Sequence, residues 1–570
     1  MNVLVLNRGE IAFRAIKVCQ NLELTSYCFV NENELETKIT QQADHFISVS
    51  EQDNPYVNLD FINHVLKKYE IEVLYPGYGF LSEDPRLAKL CEENGVIFVG
   101  PSTLSLEKLA SKKESQIFAK KCSLGVLEVQ RPQAKDFPLM LKASFGGGGR
   151  GNKVVEDISK LINAESELKK KSQQLFDNSE IIYERYLPFA KHVELQFFAT
   201  QDDVIFLGTR DCSLQLNYQK VLEEGPAQEN ANKKMGELYP KIKTTLMNYG
   251  YLGAGTIEFL WDEEKEELYF LEVNTRIQVE HTVTEMLYDI NLVQWQFELA
   301  LNQFQLKDVK SRGHSFSARI YAVNPFMDFS PCPGEICYMK NNDDYRFDTF
   351  LNENGIVAHQ YDPLIGKLVV VGKTRQDALD NLCRGLKELT IFGIHTNKGF
   401  LLELAKHDVF IAQEHNVSWL EGQKYELIKP IIDDEEIKSY LWGKKERGED
   451  FFDMSLVEIH RHQYKVLARS QNFYVEKIVD GAILNFCVAR QFWRESFLEK
   501  NNDYTSPITG KVIKILVAEG EQVEQGDLLF VLEAMKTTVE IKAKKSAKVL
   551  SVLFQENDLV KTGAELLILN

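Results

Sequence analysis

The sequence is poor in cysteine, and its few cysteines form no Cys-x-x-Cys pair. There are nine in 570 residues, an odd number that favours reduced thiols over a framework of disulfides. Cys332 and Cys337 are spaced for a metal only if two further ligands exist, and none stands nearby in the sequence. We therefore assign no metal to sulfur.

Positively charged residues are also fewer than negatively charged ones. Lysine and arginine number 66 against 84 aspartates and glutamates, which gives a formal net charge of −18. A surface this acidic repels phosphate backbones and anionic lipid headgroups. The composition thus predicts no nucleic acid and no membrane as partners.

The start of the chain has no long apolar segment. The apolar run Val3 to Leu6 is interrupted at once by Arg8 and Glu10, so it is too short for a signal peptide or a membrane span. With 44% hydrophobic and 26% charged residues, the composition is that of a globular protein. At roughly 150 residues per domain, the length suggests about three to five domains. We expect a cytoplasmic location, the alternative being another soluble compartment.

The first residues predict a β-α-β unit. Strands at 2–6 and 26–30 flank a helix over 9–22, whose apolar residues recur at helical spacing. No G-x-G-x-x-G motif follows the first strand, so a dinucleotide site has little support. We expect an α/β layer domain through about residue 115.

A glycine-rich segment, Phe145 to Gly151, joins two short apolar strands at 139–141 and 153–155. Consecutive backbone N–H groups in such a run approach phosphate oxygens closely. Because the segment joins strand to strand and lacks G-K-[ST], it predicts a lid over phosphates, the alternative being a flexible surface hairpin. Lys112 and Lys142 are candidates for the neighbouring positive charges.

Two glutamates stand inside apolar strands. Glu258 lies in Thr256 to Leu260 and Glu272 in Tyr269 to Asn274, with a charged turn between the strands. An unpaired charge in such a place is costly, and two carboxylates on adjacent strands suit Mg²⁺. The alternative is a pair of solvent-facing glutamates on a half-buried hairpin.

Alternation continues beyond Glu272. Asn274, Arg276, Gln278 and Glu280 follow at every second position, so an extended backbone would line them along one face. Arg276 could clamp a small anion, and Glu280 could serve as a general base. A further polar segment, 210–220, is interpreted as a loop and says little by itself.

The last 65 or so residues contain an internal repeat. The offset that places Val523 on Val560 also places Val512 on Val549 and Leu529 on Leu566. Two β-rich halves related by a pseudo-twofold axis would explain it. Lys536 falls at the join of the halves, where we expect an exposed hairpin tip.

Five motifs together resemble biotin carboxylase, an ATP-grasp enzyme, joined to a biotin carrier domain. The carboxylase motifs are Asn7 to Ala12, Pro76 to Glu83, Gly146 to Gly151 and Glu272 to His281, and the attachment motif is Glu533-Ala534-Met535-Lys536. The resemblance covers about 1–440 and 504–570, and leaves 450–500 unmatched.

The resemblance implies a role for each motif residue. ATP phosphates would be held by Lys112, Lys142, Gly146, Gly147, Gly148, Gly149 and Gly151, with Glu184, His192 and Gln215 around the nucleotide. Mg²⁺ or Mn²⁺ would be held by Glu258, Glu272 and Asn274, and bicarbonate by Lys220, Arg276, Gln278, Val279 and Glu280. Glu280 would be the base, Arg319 would stabilise the enolate of biotin, and Lys536 would bear biotin covalently. Lys220, Arg276, Glu280 and Arg319 would form the catalytic set.

The implied fold is a multidomain α/β and α+β chain with an ATP-grasp centre and an all-β, lipoyl-like flattened barrel at its C-terminal end. The expected domains are an N-terminal α/β domain (1–115), the ATP-grasp lid (116–192), the catalytic core with the carboxylase C-terminal part (193–440), a connecting β-rich segment (441–503) and the carrier domain (504–570).

The implied reaction uses ATP to convert bicarbonate to carboxyphosphate, which carboxylates biotin on Lys536. Carboxybiotin would then serve a separate carboxyltransferase subunit, with an acyl-CoA as the favoured acceptor and pyruvate or urea as alternatives. Other implied partners are a biotin protein ligase and further copies of this chain, through the carboxylase domain.

Several positions depart from the family pattern. Leu216-Asn217-Tyr218 replaces a usual Arg-Arg-His, and further differences occur at Tyr75, Phe145, Asn152 and Tyr321 to Pro325. Because the metal, bicarbonate and biotin residues remain, we predict an active but divergent enzyme. The alternatives are a ligase of the same fold with another acceptor, and a non-catalytic carrier or regulatory protein.

Overall fold

A computed structural model describes most of the chain. The described residues are 1–31, 37–49, 54–109, 112–143, 152–176, 180–306, 308–358, 361–428, 455–459, 462–469, 472–479, 482–489, 504–506, 508, 510–534, 537–560 and 564–569. They fall into two compact units, of which the first comprises 1–319, 367–382 and 408–424 and the second 320–366, 383–407 and 425–570.

The first unit begins with a five-stranded parallel sheet of order β3-β2-β1-β4-β5. Its strands are β1 (Asn2–Val5), β2 (Thr25–Val30), β3 (His45–Ser48), β4 (Val73–Tyr75) and β5 (Ile97–Phe98), and its helices are α1 (Gly9–Asn21), α2 (Lys38–Gln42), α3 (Leu59–Lys68), α4 (Pro85–Glu93) and α5 (Thr103–Glu107). Local sequence explains where helices begin: Asp84 caps α4 by accepting from the Arg86 N–H, and Pro85 occupies its first turn. The predicted β-α-β start is confirmed.

A small three-stranded sheet of order β8-β7-β9 follows. This part contains α6 (Lys112–Lys121), β6 (Gly125–Val126), β7 (Leu139–Ala143), β8 (Asn152–Val155), α7 (Leu161–Phe176) and β9 (Ile181–Arg185). Strands β7 and β8 pair antiparallel, as predicted for the two strands beside the glycine-rich segment. The segment itself, from residue 144 to 151, lies outside the described residues.

The large sheet of the first unit carries the candidate site. Its strands β10 (Lys191–Ala199), β11 (Val204–Leu216), β12 (Gln219–Gly225), β13 (Gly253–Asp262), β14 (Glu267–Asn274) and β15 (His314–Tyr321) lie in the order β15-β12-β11-β10-β13-β14-β6. Helices α8 (Glu229–Asn248), α9 (His281–Tyr288) and α10 (Leu292–Ala300) are inserted between these strands in the sequence. One face packs into an apolar core that includes Phe197, Phe259 and Trp261. The opposite face is therefore free to carry polar side chains.

The remaining elements up to residue 428 include several short strands. They are β16 (Val323–Asn324), β17 (Ser330–Pro331), β18 (Gly334–Glu335), β19 (Tyr338–Lys340), β20 (Arg346–Thr349), β21 (Ile356–Val357), β22 (Leu364–Gly372), α11 (Arg375–Glu388), β23 (Thr390–Phe392), α12 (Lys398–Lys406), α13 (Asp408–Ile411) and α14 (Trp419–Gln423). Strand β22 lies beside β15 and supplies residues 367–372 to the first unit.

In the stretch from 450 to 500, for which the sequence predicts two or three strands, the described residues form four. Strands β24 (Ser455–Ile459), β25 (His462–Arg469), β26 (Asn472–Val479) and β27 (Ala482–Ala489) form an antiparallel meander in sequence order. The strands are separated by very short connections, so that neighbouring apolar runs merge in the sequence.

The C-terminal part of the second unit is all β. Its strands are β28 (Gly510–Ile515), β29 (Gln522–Val523), β30 (Leu528–Ala534), β31 (Thr537–Lys542), β32 (Ala547–Val552), β33 (Leu559–Val560) and β34 (Leu567–Leu569). Equivalent hydrogen bonds relate the halves, since the Gly520 N–H donates to Val549 and the Asn557 N–H donates to Val512. The predicted pseudo-twofold repeat is confirmed, and its apolar residues pack around Leu529, Leu532 and Leu566.

Candidate active site

A row of charged side chains crosses four strands of the large sheet. The register places Arg210 opposite Glu194, Glu194 opposite Glu258, and Glu258 opposite Glu272. Directly opposed side chains in an antiparallel sheet lie on one face with Cβ atoms about 5 Å apart. The predicted placement of Glu258 and Glu272 on adjacent strands is confirmed.

Lys220, near the start of β12, holds three carboxylates together. Its Nζ lies 2.7 Å from Glu194 Oε2, 3.0 Å from Glu258 Oε1 and 2.6 Å from Glu280 Oε1. Burial alone would lower the pKa of this lysine, but the three carboxylates raise it well above its ordinary value. Lys220 is therefore a permanent cation at the centre of the cluster.

Glu280 lies between two cations. Besides the contact with Lys220, its Oε2 accepts a hydrogen bond of 3.0 Å from a terminal nitrogen of Arg319. Arg319 in turn donates through Nε to Glu223 Oε1 at 2.5 Å. Burial would raise the pKa of Glu280, yet Lys220 and Arg319 hold it below the ordinary range, so the carboxylate is ionised.

Glu258 accepts hydrogen bonds from several directions. Gln278 donates to its Oε1 at 2.6 Å and Asn274 at 3.0 Å, while His192 Nε2 lies 2.9 Å from Oε2. The Gln215 side-chain amide lies 2.8 Å from His192 Nδ1.

The extended arrangement predicted for residues 272–280 is wrong beyond Asn274. Strand β14 ends there, and Glu280 is the residue immediately before α9. Arg276 turns to Glu83, with 3.0 Å between Nε and Oε2, and also donates to the Asn274 side-chain oxygen at 2.9 Å. The polar side chains still converge, but a turn into a helix brings them together rather than the period of a strand.

Only some of the residues assigned to the nucleotide are among the residues that the structure describes. Lys142 on β7 and Glu184 on β9 form an ion pair of 2.5 Å. The predictions for Gly146, Gly147, Gly148, Gly149 and Gly151 lie outside the described residues, as does the side chain of Lys112.

The segment interpreted as a loop at 210–220 is a hairpin of two paired strands, β11 and β12. Its tip, Asn217 and Tyr218, has left-handed backbone, with φ of 50° and 62°, a conformation that suits asparagine but is unfavourable for tyrosine. The Tyr218 side chain is 49% exposed. The sequence misled because buried polar residues such as Arg210, Asp211 and Ser213 look like surface residues.

Three oxygen-bearing residues fit a hard cation. Glu258, Glu272 and Asn274 sit together at the end of the β13–β14 pair, where Glu258 faces Glu272 and Asn274 faces Thr256. Mg²⁺ takes one or two carboxylates and leaves its other positions to water and phosphate, so this donor set suits it. The Asn274 amide contact with Glu258 would rearrange if a cation took that carboxylate.

Lys536 lies outside the described residues, between β30 and β31. These strands pair closely at their neighbouring ends, with Ala534 opposite Thr537. The predicted exposed tip for Lys536 stays a prediction.

Sequence reasoning missed three charged residues that the structure places at the site. Glu194, Arg210 and Glu223 are almost fully buried and each pairs with another member of the cluster. A charged residue inside an otherwise apolar strand was the available signal, since such a charge needs a partner. Glu194, between Val193 and Leu195, shows that signal, but the neighbouring Lys191, His192 and Gln196 make it weaker than in the strand of Glu258.

Four family models match the chain. They are the biotin carboxylase N-terminal domain (residues 1–106), the carbamoyl-phosphate synthase L chain ATP-binding domain (126–308), the biotin carboxylase C-terminal domain (317–422) and a model described as "biotin-requiring enzyme" (502–569). Both parts of the resemblance seen in the sequence are thereby confirmed.

Among curated relatives, biotin carboxylase 1 of Bacillus subtilis is 35% identical over 74% of this chain and 98% of its own length. The methylcrotonoyl-CoA carboxylase alpha subunit of Dictyostelium discoideum is 34% identical over 75% of this chain, which spans 64% of that protein. The corresponding rat subunit is 27% identical over 97% of this chain and 91% of its own length.

Among solved structures, the biotin carboxylase domain of Hydrogenobacter thermophilus 2-oxoglutarate carboxylase superimposes with a TM-score of 0.71. It is 31% identical, and the match covers 75% of this chain and 99% of that domain. That structure is a dimer in complex with MgADP, ADP and bicarbonate. In the part of the present chain that is described, no helix is long and apolar enough to cross a membrane.

Proposed function

Since the chain belongs to the biotin carboxylase family of ATP-dependent ligases and includes a biotin attachment domain, we propose that it is the biotin-containing subunit of an acyl-CoA carboxylase. In this proposal its own site carboxylates biotin on Lys536, and a separate carboxyltransferase subunit passes the carboxyl group to an acyl-CoA. The observation that best supports this proposal is the similarity to the rat methylcrotonoyl-CoA carboxylase alpha subunit. It extends over 97% of this chain and so includes the region between the matches to the carboxylase and attachment models.

In the proposed reaction, bicarbonate occupies the space bounded by Arg276, Gln278 and Glu280. The two fixed cations, Lys220 and Arg319, lie at 2.6 and 3.0 Å from the Glu280 carboxylate and offset its charge, so that an anion is tolerated beside it. Glu280 accepts the bicarbonate proton as the oxygen attacks the terminal phosphate of ATP, the bond from that phosphate to ADP breaks, and carboxyphosphate and ADP are formed. Arg319, which contacts the other carboxylate oxygen of Glu280, would then face biotin.

The nucleotide is assigned to Lys142 and Glu184 on the three-stranded sheet and to His192 and Gln215 on the large sheet. Mg²⁺ held by Glu258, Glu272 and Asn274 would neutralise phosphate charge during transfer. The protein's contribution is mainly positioning, because Lys220, Gln278 and Asn274 all fix the Glu258 carboxylate before substrates bind.

The test of the acceptor uses the full-length biotinylated chain together with the carboxyltransferase that copurifies with it. After incubation with MgATP and labelled bicarbonate, separate samples receive acetyl-CoA, propionyl-CoA, methylcrotonoyl-CoA, pyruvate or urea. We expect stable label in an acyl-CoA product, and none when Lys536→Arg replaces the wild type. Label in pyruvate or urea would contradict the acyl-CoA assignment, and a wild type that never becomes labelled would favour a non-catalytic carrier.

A further inference from the structure

A fully buried lysine lies behind the bicarbonate segment. Lys367, on β22, has a side chain with 0% exposure, and its Nζ lies 2.8 Å from the Val279 carbonyl oxygen. The same Nζ lies 2.8 Å from Glu10 Oε1, at the start of α1. Glu10 Oε1 also accepts from the Tyr78 hydroxyl at 2.5 Å.

We propose that Lys367, paired with Glu10, is a positioning residue that fixes the Val279–Glu280 peptide for bicarbonate binding. The inference rests on the proposed role of Val279 and Glu280 at the bicarbonate site. It assigns to Lys367 no contact with substrate, because its ammonium group is engaged by the Val279 carbonyl and by Glu10.

The geometry explains how one hydrogen bond acts on the site. A trans peptide is planar, so holding the Val279 carbonyl also directs the following Glu280 N–H to the opposite side and sets where the Glu280 side chain starts. The Glu280 carboxylate must then meet Lys220 at 2.6 Å and Arg319 at 3.0 Å. A displacement of about 1 Å at such a centre costs on the order of 10²-fold in rate.

The chemistry of the pair favours positioning over stability. Removing a lysine and a glutamate from water is costly, and a buried ion pair often contributes no more to folding than a well-packed apolar pair. Here the pair orients the Val279 carbonyl, because Nζ reaches that carbonyl and the Glu10 carboxylate on α1 at the same distance. Glu10 further links this contact to Tyr78 in the loop after β4.

The test compares Lys367→Met with Lys398→Met in the full-length chain. Lys398 is the matched control, since it is also fully buried and donates to a backbone carbonyl, that of Leu389, in the second unit. The readouts are melting temperature and bicarbonate-dependent ADP formation with free biotin, measured over ranges of bicarbonate and of MgATP.

We expect Lys367→Met to raise KM for bicarbonate about 10-fold or more while KM for MgATP changes less than about twofold, as for the loss of a positioning contact. Lys398→Met should lower the melting temperature and leave both KM values in place. Glu10→Gln keeps side-chain volume and removes the charge, so it should raise KM for bicarbonate in the same direction, and it serves if Lys367→Met fails to fold.

If KM for bicarbonate is unchanged in Lys367→Met, the inference is overturned and the proposed function is not. Where Lys367→Met fails to fold, the same conclusion follows from an unchanged KM in Glu10→Gln. An equal rise in Lys398→Met would also overturn it, because the effect would then follow stability. A wild type without bicarbonate-dependent ADP formation would overturn the proposed function together with the inference, so the two failures are distinguishable.

Discussion

The two ends of the candidate site differ in how their charges are held. At the bicarbonate end, Glu194, Lys220, Glu280 and Arg319 are buried and joined by ion pairs. At the nucleotide end, the hairpin tip Asn217-Tyr218 is exposed and uncharged. The two ends therefore differ in the cost of a substitution: removing one member of a buried pair costs about 3–5 kcal/mol, whereas an exposed tip carries no such penalty.

The largest effect is expected at the buried end. Glu280→Ala should reduce both bicarbonate-dependent ATP cleavage and biotin carboxylation by about 10³-fold, because Glu280 is the group proposed to accept the bicarbonate proton. Both half-reactions and the melting temperature are measured on the same preparations.

The matched control is Glu285→Gln on α9, the helix that Glu280 precedes, since Glu285 is also buried and paired, with Arg14 at 2.7 Å. It should lower stability while largely preserving turnover. Equal losses of turnover in the two variants would mean that Glu280 acts only through folding.

The next effect is expected where the ends meet, at the predicted metal residues. Glu272→Gln should lower ATP cleavage by about 10²-fold even in excess Mg²⁺, because charge stabilisation of the transferring phosphoryl group is lost. Glu267→Gln, at the exposed start of the same strand, should change turnover little. Wild-type turnover in Glu272→Gln would remove Glu272 from the metal site.

Arg319→Ala should separate the half-reactions. We expect biotin carboxylation to fall about 10²-fold, while bicarbonate-dependent ATP cleavage falls by less than about 10-fold, because the arginine is proposed to face biotin and to act on bicarbonate only through Glu280. Arg375→Ala is the control, as Arg375 pairs with the next carboxylate of β12, Glu224, at 2.8 Å. Parallel loss of both activities in Arg319→Ala would contradict the assignment.

Some residues of the candidate site could be predicted from the sequence, and others could not. Glu258, Glu272 and the β-α-β start were predictable because short strands leave clear patterns of apolar residues. The turn before α9 was not, since alternation from Glu272 to Glu280 looks the same whether the backbone stays extended or bends. Glu194 and Arg210 were missed because their partners are distant in sequence and close only across strands.

The smallest effect is expected at the hairpin tip. Restoring charge and imidazole with the double variant Asn217→Arg and Tyr218→His should lower KM for MgATP about threefold, as expected for exposed charges in water. Asn302→Arg is the control, because Asn302 is likewise exposed and its backbone is in the left-handed region, with φ of 57°. A larger fall in KM with Asn302→Arg would attribute the gain to net charge alone.

The most direct test of the account asks whether this chain carboxylates its own biotin. Full-length, biotinylated protein is incubated with MgATP and labelled bicarbonate, and label on the protein is measured beside the Lys536→Arg and Glu280→Ala variants. We expect label that requires ATP, resides on Lys536 and disappears in both variants. Biotinylated wild-type protein that stays unlabelled would contradict the central claim that the buried cluster is a working carboxylation site.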